Sequence, residues 1–225
     1  MTVVLLGDIH GITKVLGAVD KMQSASGSTV VAGIQVGDLG WYKDTNPLFH
    51  TLDLKLPWYW IDGNHEDFSL LKYTKVTEVA PNLFYVPRGT VMEVGGIKIG
   101  FLGGAASVDK QTRLRLGWHW SEDELITDED IAKFDGVESV DMLITHCPPQ
   151  STIQKHFDSR MLMYFGLSPD WRDPSADKVE ALWKRLGEPP LVCGHMHRSI
   201  TDGNVRILDI NEYITVEPTD EQTSR

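Results

Sequence analysis

Short runs of histidine, aspartate and asparagine follow five apolar stretches of the sequence. The five runs are Gly7-Asp8-Ile9-His10-Gly11, Gly37-Asp38, Gly63-Asn64-His65-Glu66, Thr145-His146 and Gly194-His195-Met196-His197. Carboxylate and amide oxygens and imidazole nitrogens are common donors to divalent metal ions. One such run alone is typical of a capped turn or a hydrogen-bonded structural histidine. Five of them, each at the end of an apolar stretch, predict a metal centre.

The predicted ligands are three oxygen donors and four imidazoles, a set that suits Mn, Fe, Zn, Co or Ni better than Mg or Ca. They are Asp8, His10, Asp38, Asn64, His146, His195 and His197. Seven donors are too many for one ion, whereas two ions about 3.5–4 Å apart that share a carboxylate would use them all. Residues two apart at a strand end point the same way, so each Asp-x-His or His-x-His pair can face one cavity.

The apolar stretches are predicted to be the strands that position these ligands. Residues 3–6, 30–36 and 58–61 are expected to be buried strands, separated by helices at 12–22, 44–54 and 66–73. This alternation is the pattern of a parallel sheet covered by helices. Ligands of such sheets bind outside the carboxyl ends of the strands, which is where the predicted donors lie.

The second half of the chain shows a different pattern. Strands are predicted at 84–86, 91–94 and 97–102, with Gly95-Gly96 as a tight hairpin turn, and at 141–145 and 191–192. Two final strands at 205–210 and 213–216 are expected to pair with each other in an antiparallel region. Capped helices are predicted to begin at Ser121, Thr127 and Asp173. We expect an irregular stretch at 105–120 and a short lid or intermolecular contact within 151–171.

Length, charge and cysteine content limit the functional classes. The 225 residues fit one domain, 1–217, followed by a polar, flexible tail at 218–225. A net charge of −11 disfavours a broad grip on nucleic-acid phosphates or an anionic membrane. We expect no signal peptide, because the first residues lack a basic region and a long apolar region, and no apolar run approaches the ~20 residues of a membrane span. Two cysteines suit a reducing compartment, and we expect a cytoplasmic location.

The order of the five motif blocks resembles the calcineurin-like metallophosphoesterase superfamily. The blocks Gly-Asp-x-His-Gly, Gly-Asp, Gly-Asn-His-Glu, a strand-end histidine and Gly-His-x-His span Asp8 to His197, most of the chain. The combination is highly specific to that family. The resemblance implies an α/β fold, a four-layer α/β/β/α sandwich of two mixed sheets flanked by helices.

The resemblance also implies a role for each motif residue. By position, Asp8, His10 and His197 hold one metal ion, and Asn64, His146 and His195 hold the other. Asp38 bridges the two ions, of which Mn is the first expectation. Two divalent ions lower the pKa of a shared water, so a bridging hydroxide attacks phosphorus in line. His65 is not a ligand; it faces the phosphate and protonates the leaving oxygen, so that His65 and Asp38 form the predicted catalytic pair.

One block departs from the phosphatase branch of that family. There, the second block continues Gly-Asp-x-x-Asp-Arg-Gly, whereas Trp41 and Tyr42 stand here in place of the Asp and Arg. A dianionic phosphomonoester benefits most from a bidentate arginine. Its absence, with two aromatic residues able to stack on a base, favours a phosphodiester substrate such as a cyclic nucleotide; in the alternative, both aromatics simply pack. Arg113 is the candidate replacement grip on phosphate.

Several other functions remain as alternatives. The first alternative is a Ser/Thr protein phosphatase or a small-molecule phosphomonoesterase. The missing Asp-Arg pair makes this alternative less favoured than a phosphodiesterase. A nuclease is disfavoured by the acidic charge. A non-catalytic interaction module of the same fold would be expected to have lost ligands, and none is lost here. We expect a small-molecule phosphoester as the partner, with a homodimer left open, and place His50, His119 and His156 among structural or surface residues.

Overall fold

The computed structural model describes residues 1–218. Its strands are β1 (Thr2–Leu6), β2 (Val30–Gln35), β3 (Trp58–Trp60), β4 (Thr77–Ala80), β5 (Leu83–Tyr85), β6 (Thr90–Val94), β7 (Ile97–Leu102), β8 (Met142–Thr145), β9 (Leu191–Cys193), β10 (Ile200–Asp202), β11 (Val205–Ile207) and β12 (Tyr213–Val216). Its α-helices are α1 (Thr13–Gln23), α2 (Asn46–Phe49), α3 (Lys110–Leu116), α4 (Asp128–Ala132), α5 (Gln150–His156) and α6 (Pro174–Arg185), and 3-10 helices lie at Phe68–Leu70, Glu122–Glu124 and Ser159–Phe165.

The strands form two six-stranded mixed sheets with similar topology. The first has the order β12-β1-β2-β3-β5-β4, and the second has the order β10-β11-β9-β8-β7-β6. In both sheets the four central strands run parallel, and one antiparallel strand closes each edge. The parallel strands therefore present their carboxyl ends together, which is the arrangement that ligand sites in α/β proteins use.

Alternation along the strands divides the apolar side chains into three layers. In β1, Val4 and Leu6 face α1, whereas Val3 and Leu5 pack against the second sheet. The outer face of the second sheet is covered by α6 through Val179 and its neighbours. Three apolar layers require four layers of backbone, so the predicted α/β/β/α sandwich is confirmed.

Local signals read from the sequence hold where they specify backbone geometry. Gly95 and Gly96 make the turn of the β6–β7 hairpin, both with positive φ, and Val94 pairs with Ile97 across it. Thr127 begins α4 with a capping box, and the side chain of Asp173 accepts a hydrogen bond from the Ser175 amide at the start of α6. These signals depend on a few neighbouring residues, which is why they can be recognised without tertiary information.

The prediction that the last two strands pair with each other is wrong. β11 lies parallel to β9 in the second sheet, whereas β12 pairs antiparallel with β1 in the first. Between them the chain crosses from one sheet to the other, and the Gly7 amide donates a 2.8 Å hydrogen bond to the Glu212 carbonyl at the crossing. Alternation predicts which face of a strand is buried, but it does not specify the neighbouring strand.

Three segments differ from their predicted helical content. The helices expected at 44–54 and 66–73 shrink to α2 and to the 3-10 helix Phe68–Leu70. The stretch 105–120 is not irregular throughout, because it contains α3, which ends at Gly117 in a left-handed conformation. The lid or contact expected within 151–171 stays a prediction; that segment contains α5 and the 3-10 helix Ser159–Phe165.

Two further predictions concern the C-terminal tail and membrane-spanning helices. Of the tail predicted at 218–225, residues 219–225 lie outside the described residues. Among residues 1–218, no helix is both long enough and apolar enough to cross a membrane.

Candidate metal centre

Five strand ends, three in the first sheet and two in the second, carry all seven predicted ligands. Asp8 and His10 follow β1, Asp38 follows β2, Asn64 follows β3, His146 follows β8, and His195 and His197 follow β9. All five of these strands belong to the parallel central parts of the two sheets. The fold therefore brings the motif blocks together at one edge, as the strand-end positions predicted.

Four of these residues lie in the left-handed region of backbone conformation. Their φ angles are 45° at His10, 55° at Asp38, 68° at His195 and 49° at His197. For non-glycine residues this conformation costs on the order of 1–3 kcal/mol each and persists only where the surrounding structure imposes it. Such strain collects at functional sites, and here it turns side chains from successive strand ends toward one cavity.

Two glycines leave space for the carboxylates of the site. A Cβ on Gly63 would overlap Oδ1 of Asp38 and lie 2.7 Å from Nε2 of His146. A Cβ on Gly194 would overlap Oδ1 of Asp8. Any side chain at either glycine would therefore displace a predicted ligand.

Asp8, His10 and His197 form the part of the site that we call the open half-site. Nε2 of His197 lies 3.3 Å from Oδ2 of Asp8 and 3.0 Å from Nε2 of His10. One donor atom from each of these residues and one from Asp38 all lie within 4.8 Å of one another. Two carboxylate oxygens and two imidazole nitrogens at this spacing suit a divalent transition-metal ion.

We call the other three predicted ligands, Asn64, His146 and His195, the buried half-site. Nε2 of His146 lies 3.3 Å from Oδ1 of Asn64, and the rings of His146 and His195 are 5.1 Å apart at their centroids. Nδ1 of His146 lies 3.0 Å from the Val36 carbonyl oxygen. A hydrogen bond to that carbonyl occupies Nδ1 and leaves Nε2 directed at the site.

Asp38 lies between the two half-sites and faces each with a different oxygen. Its Oδ2 is 3.9 Å from Nε2 of His10, and its Oδ1 is 3.2 Å from Nε2 of His146. The backbone amide of His65 donates a 2.8 Å hydrogen bond to the same Oδ1. The carboxylate is therefore fixed in an orientation that can serve two ions at once.

The charges of the site perturb one another strongly. Burial would raise the pKa of Asp38, but the neighbouring imidazoles, first that of His146, hold it well below its usual range. Burial would lower the pKa of His146, but Asp38 raises it to about 10. The pKa of His195 is lowered to about 3 by burial and by the charge on His146. In the metal-free protein a proton is therefore held on His146 beside Asp38, where a cation can replace it.

His65 lies beside the half-sites without joining either cluster. Its ring is 4.7 Å from the ring of His10 between centroids, and Nη2 of Arg113 lies 2.5 Å from its Nε2. Burial and Arg113 lower the pKa of His65 to about 4, against the opposing attraction of Asp38. The imidazole is therefore neutral here and accepts a hydrogen bond from the guanidinium.

Arg113 is not the loop residue that the sequence suggested. It lies on α3 and is 3% exposed. Its Nη1 donates a 3.0 Å hydrogen bond to the Asn64 carbonyl, and its Nε lies 2.8 Å from a carboxylate oxygen of Asp109. A buried guanidinium from a distant part of the chain thus lies at the sheet edge that carries the predicted ligands.

The expected pair of aromatic residues at the rim is only half correct. Trp41 is 4% exposed and packs against Phe49 and Trp60, with ring centroids 5.5 and 5.7 Å away, so it cannot stack on a substrate. Tyr42 is half-buried and meets His119 edge to face at 6.2 Å. Burial and the nearby carboxylate of Glu66 raise the pKa of Tyr42. The aromatic rim therefore consists of Tyr42 and His119.

A second group of donors lies behind His195. Sγ of Cys147, a carboxylate oxygen of Asp173 and a ring nitrogen of His195 lie within 4.8 Å of one another. Asp173 already accepts hydrogen bonds from the amides of Ala106 and Ser175 and from the Cys147 thiol. We therefore assign Asp173 to the cap of α6 and to the packing behind His195.

Sequence reasoning missed the residues that support the ligands. Glu66, fully buried, accepts hydrogen bonds from the amides of Gly40 and Gly63 and so ties the Asp38 loop to the Asn64 loop. Its place in the Gly-Asn-His-Glu block was the only sequence signal for this role. Ser107 contacts Asn64 directly, and Glu124 contacts it through Ser107. No motif in the sequence indicated a role for either residue.

Three solved structures align with this chain over most of its length. The structure of TT1561 from Thermus thermophilus aligns with a TM-score of 0.59 over 96% of this chain and 98% of that chain, at 12% identity. A solved archaeal phosphodiesterase aligns with a TM-score of 0.41 at 12% identity, covering 96% of this chain and 99% of that chain. The phosphopantetheinyl hydrolase of Mycobacterium tuberculosis aligns with a TM-score of 0.47 at 14% identity, covering 99% of both chains.

At these identities the TT1561 alignment supports the fold alone, and the other two alignments carry no argument about this chain. No protein of curated function matches the sequence. The family model described as calcineurin-like phosphoesterase matches residues 1–199, which include every predicted ligand. The chain therefore belongs to the calcineurin-like phosphoesterase family and is a metal-dependent phosphoesterase.

Proposed function

We propose that this enzyme hydrolyses a small-molecule phosphodiester at a centre that holds two divalent metal ions. The position of Asp38 carries the proposal, because its two oxygens face two separate groups of ligands. A single-ion site would need only one of these groups.

The residues present fit two ions. Asp8, His10 and His197 would hold one, Asn64, His146 and His195 the other, and the oxygen–imidazole composition favours Mn or another transition metal. When bound, such ions supply Lewis acidity and a water of lowered pKa.

The protein's own groups complete the site around the phosphate. Arg113 approaches the catalytic edge with a guanidinium that can donate two parallel hydrogen bonds to phosphate oxygens. A phosphate placed beside His65 would draw the guanidinium from the ring and add negative charge. Negative charge favours the protonated imidazole, so substrate binding would prepare His65 to protonate the leaving oxygen.

The preference for a diester rests on charge and on the remaining rim. Asp109 already pairs with Arg113, so this arginine balances less of the second charge of a monoester than an unpaired guanidinium would. A diester presents one charge and a second organic group, and the Tyr42–His119 rim offers an aromatic surface for that group. Because Trp41 is buried, only Tyr42 of the two aromatic residues at positions 41 and 42 can contact that organic group.

A phosphomonoesterase is the second candidate, and one contact favours it. The Nη2 of Arg113 lies 2.5 Å from His65, close to the position where a phosphomonoester would gain most from a guanidinium. The two candidates share the metal centre and differ only in how the phosphate is recognised.

The test compares two substrates on protein of known metal content. Reconstitution with Mn should give two ions per chain by elemental analysis, and at most one would contradict the two-ion site. The Mn-loaded protein should then show a higher kcat/KM for bis-p-nitrophenyl phosphate than for p-nitrophenyl phosphate. The reverse order would favour the phosphomonoesterase. A cytoplasmic location and a homodimer stay predictions from the sequence.

A further inference from the structure

A buried chain of hydrogen bonds connects Asn64 to a carboxylate that the sequence did not mark. The Asn64 Nδ2 donates to Oγ of Ser107 at 3.1 Å, and Oγ of Ser107 donates to Oε2 of Glu124 at 2.7 Å. Asn64 and Ser107 are 6% exposed and Glu124 is 2% exposed. We call these three residues the polar chain.

The other oxygen of Glu124 is also fully engaged. Its Oε1 accepts from the Ser107 amide at 2.8 Å and from the indole nitrogen of Trp120 at 3.0 Å. Burial raises the pKa of Glu124 above its ordinary value, and the three donors that point at its oxygens oppose that rise by stabilising the ionised form. The carboxylate therefore acts in the chain only as an acceptor.

An acceptor at one end fixes the direction of every bond in the polar chain. The single hydroxyl proton of Ser107 goes to Glu124, so Oγ of Ser107 can only accept from the other side. Asn64 must then turn its NH₂ group toward Ser107. Its Oδ1 is left facing Nε2 of His146, inside the buried half-site.

We propose that Glu124 is a positioning residue that acts through Ser107 to hold the Asn64 amide with its oxygen, not its NH₂ group, toward the metal centre. The inference rests on the proposed two-ion function. A carbonyl oxygen is a metal ligand, whereas an amide NH₂ offers only protons to a cation. Reversing the amide would therefore remove one ligand without removing any residue.

Arg88 fixes the far end of the polar chain against the loop that carries Asn64. Its guanidinium donates to the carbonyls of Asp123, Glu124 and Leu125 at 2.8, 3.2 and 2.7 Å. It also pairs with Asp62, two residues before Asn64, through a 2.8 Å bond from Nε. Because one side chain holds both segments, Glu124 cannot move independently of the ligand that it orients.

Glu124→Gln tests the direction of the chain while keeping its atoms. The new amide oxygen should stay with the two donors Ser107 N and Trp120 Nε1, so its NH₂ group would point at Oγ of Ser107. The Ser107 proton would then be free to turn to Asn64, and the Asn64 oxygen would turn away from the metal. Both hydrogen bonds of the polar chain survive with their directions reversed, and the Asn64 NH₂ group would then face Nε2 of His146 in place of its oxygen.

The measurements are Mn²⁺ titration calorimetry and the Tm of the metal-free protein. Glu124→Gln should weaken one of two Mn sites by about 10–100-fold and leave the metal-free Tm close to that of the wild type. Trp120→Phe, which removes one bond to Glu124 without reversing any, is the control and should leave both affinities unchanged. Ser107→Ala frees the Asn64 amide to be oriented by the ion, so its loss should be smaller than that of Glu124→Gln.

The double variant Ser107→Ala/Glu124→Gln gives the sharpest outcome. Without Oγ the reversed polarity cannot reach Asn64, so the double variant should bind Mn like Ser107→Ala and more tightly than Glu124→Gln. A structural role would instead make the two losses add. Equal Mn affinity in Glu124→Gln and wild type, additive losses, or a large fall in metal-free Tm would each overturn the inference. A wild-type protein that binds fewer than two Mn ions would instead refute the two-ion function on which it rests.

Discussion

The two half-sites share one carboxylate but differ in burial. In the open half-site the side chains of His197 and His10 are 43% and 25% exposed, whereas His146 and His195 in the buried half-site are 0% and 10% exposed. These two histidines of the open half-site are close to solvent, whereas Asp8, its third member, is buried. The buried ligands are held by neighbours, His146 by the Val36 carbonyl and Asn64 by Ser107.

This difference predicts that the two ions of the proposed centre would be held with different affinities. A preorganised, water-poor ligand set binds its ion tightly, because the ligands lose little freedom and the low dielectric strengthens the attraction. An exposed set exchanges its ion and leaves positions for water and substrate. We infer that the ion of the buried half-site is the more permanent, and that the ion of the open half-site is the one nearer to exchange with solvent.

The largest expected effect comes from removing the residue that both half-sites share. Asp38→Asn takes a negative charge from both ions and should lower kcat/KM by about 10³-fold or more, since each ion supplies several kcal/mol of transition-state stabilisation. It should also lower Mn occupancy at both sites by elemental analysis. Asn64→Ala should be less damaging, because it affects only the buried half-site. Asp53→Asn, which changes an exposed carboxylate, is the control. Full Mn occupancy with full activity in Asp38→Asn would show that Asp38 is not a ligand shared by the two half-sites.

The second prediction distinguishes a loss of catalysis from a loss of metal binding. His65→Ala should keep both Mn ions and lose mainly kcat, by about 10²–10⁴-fold, because His65 contacts the clusters but belongs to neither. The loss should shrink for p-nitrophenol, a leaving group that needs little protonation. The exposed His50, changed to alanine, is the control. Loss of metal from His65→Ala would show that it is a ligand.

Arg113 supplies the third prediction, a loss in phosphate recognition. Arg113→Ala removes charge-assisted hydrogen bonds worth roughly 1.5–3 kcal/mol, so kcat/KM should fall about 10–100-fold with Mn content preserved. The fall should be greater for p-nitrophenyl phosphate than for its bis ester, because the monoester carries more charge. Arg115→Ala changes an exposed arginine on the same helix and should have no effect. Equal losses on both substrates would mean that Arg113 supports the Asn64 loop and does not contact phosphate.

The fourth prediction tests the comparison directly through metal release. Timed exposure of Mn-loaded protein to a chelator should remove one ion per chain quickly and the other slowly, because only one half-site is open to solvent. His197→Ala should eliminate the fast phase and keep the slow one, as measured by elemental analysis after desalting. Release of both ions in a single phase would show that burial does not distinguish the half-sites.

The sequence alone identifies the candidate ligands but not the residues that support them, for a physical reason. Each ligand follows a parallel strand, and the strand-end rule alone is enough to bring Asp8, Asn64 and His195 to one edge. The burial of Trp41 depends on where its loop lies against Phe49 and Trp60, which no local pattern specifies. The same is true of supporting residues such as Ser107, Glu124 and Arg113, whose contacts with Asn64 or with one another span 17 to 49 positions of the chain.

The smallest expected effect concerns the aromatic rim of Tyr42 and His119. Stacking on an aromatic ring is worth about 1–3 kcal/mol for a base, and a smaller organic group gains less. Tyr42→Ala should therefore lower kcat/KM for bis-p-nitrophenyl phosphate by about tenfold or less, and leave p-nitrophenyl phosphate nearly unchanged. Tyr42→Phe keeps the ring and removes the hydroxyl, so it should keep the diester preference if the ring face is what holds the substrate.

His119 distinguishes a shared rim from a single aromatic contact. Its ring meets Tyr42 edge to face and is exposed, so His119→Ala should reduce the diester preference only by loosening Tyr42. The double variant His119→Ala/Tyr42→Ala should then be no worse than Tyr42→Ala alone, because the second ring acts through the first. If both single variants leave the ratio of kcat/KM for the two substrates unchanged, the rim does not bind the organic group of the diester. The distinction between diester and monoester would then lie in Asp109 and Arg113, on the side of the buried half-site.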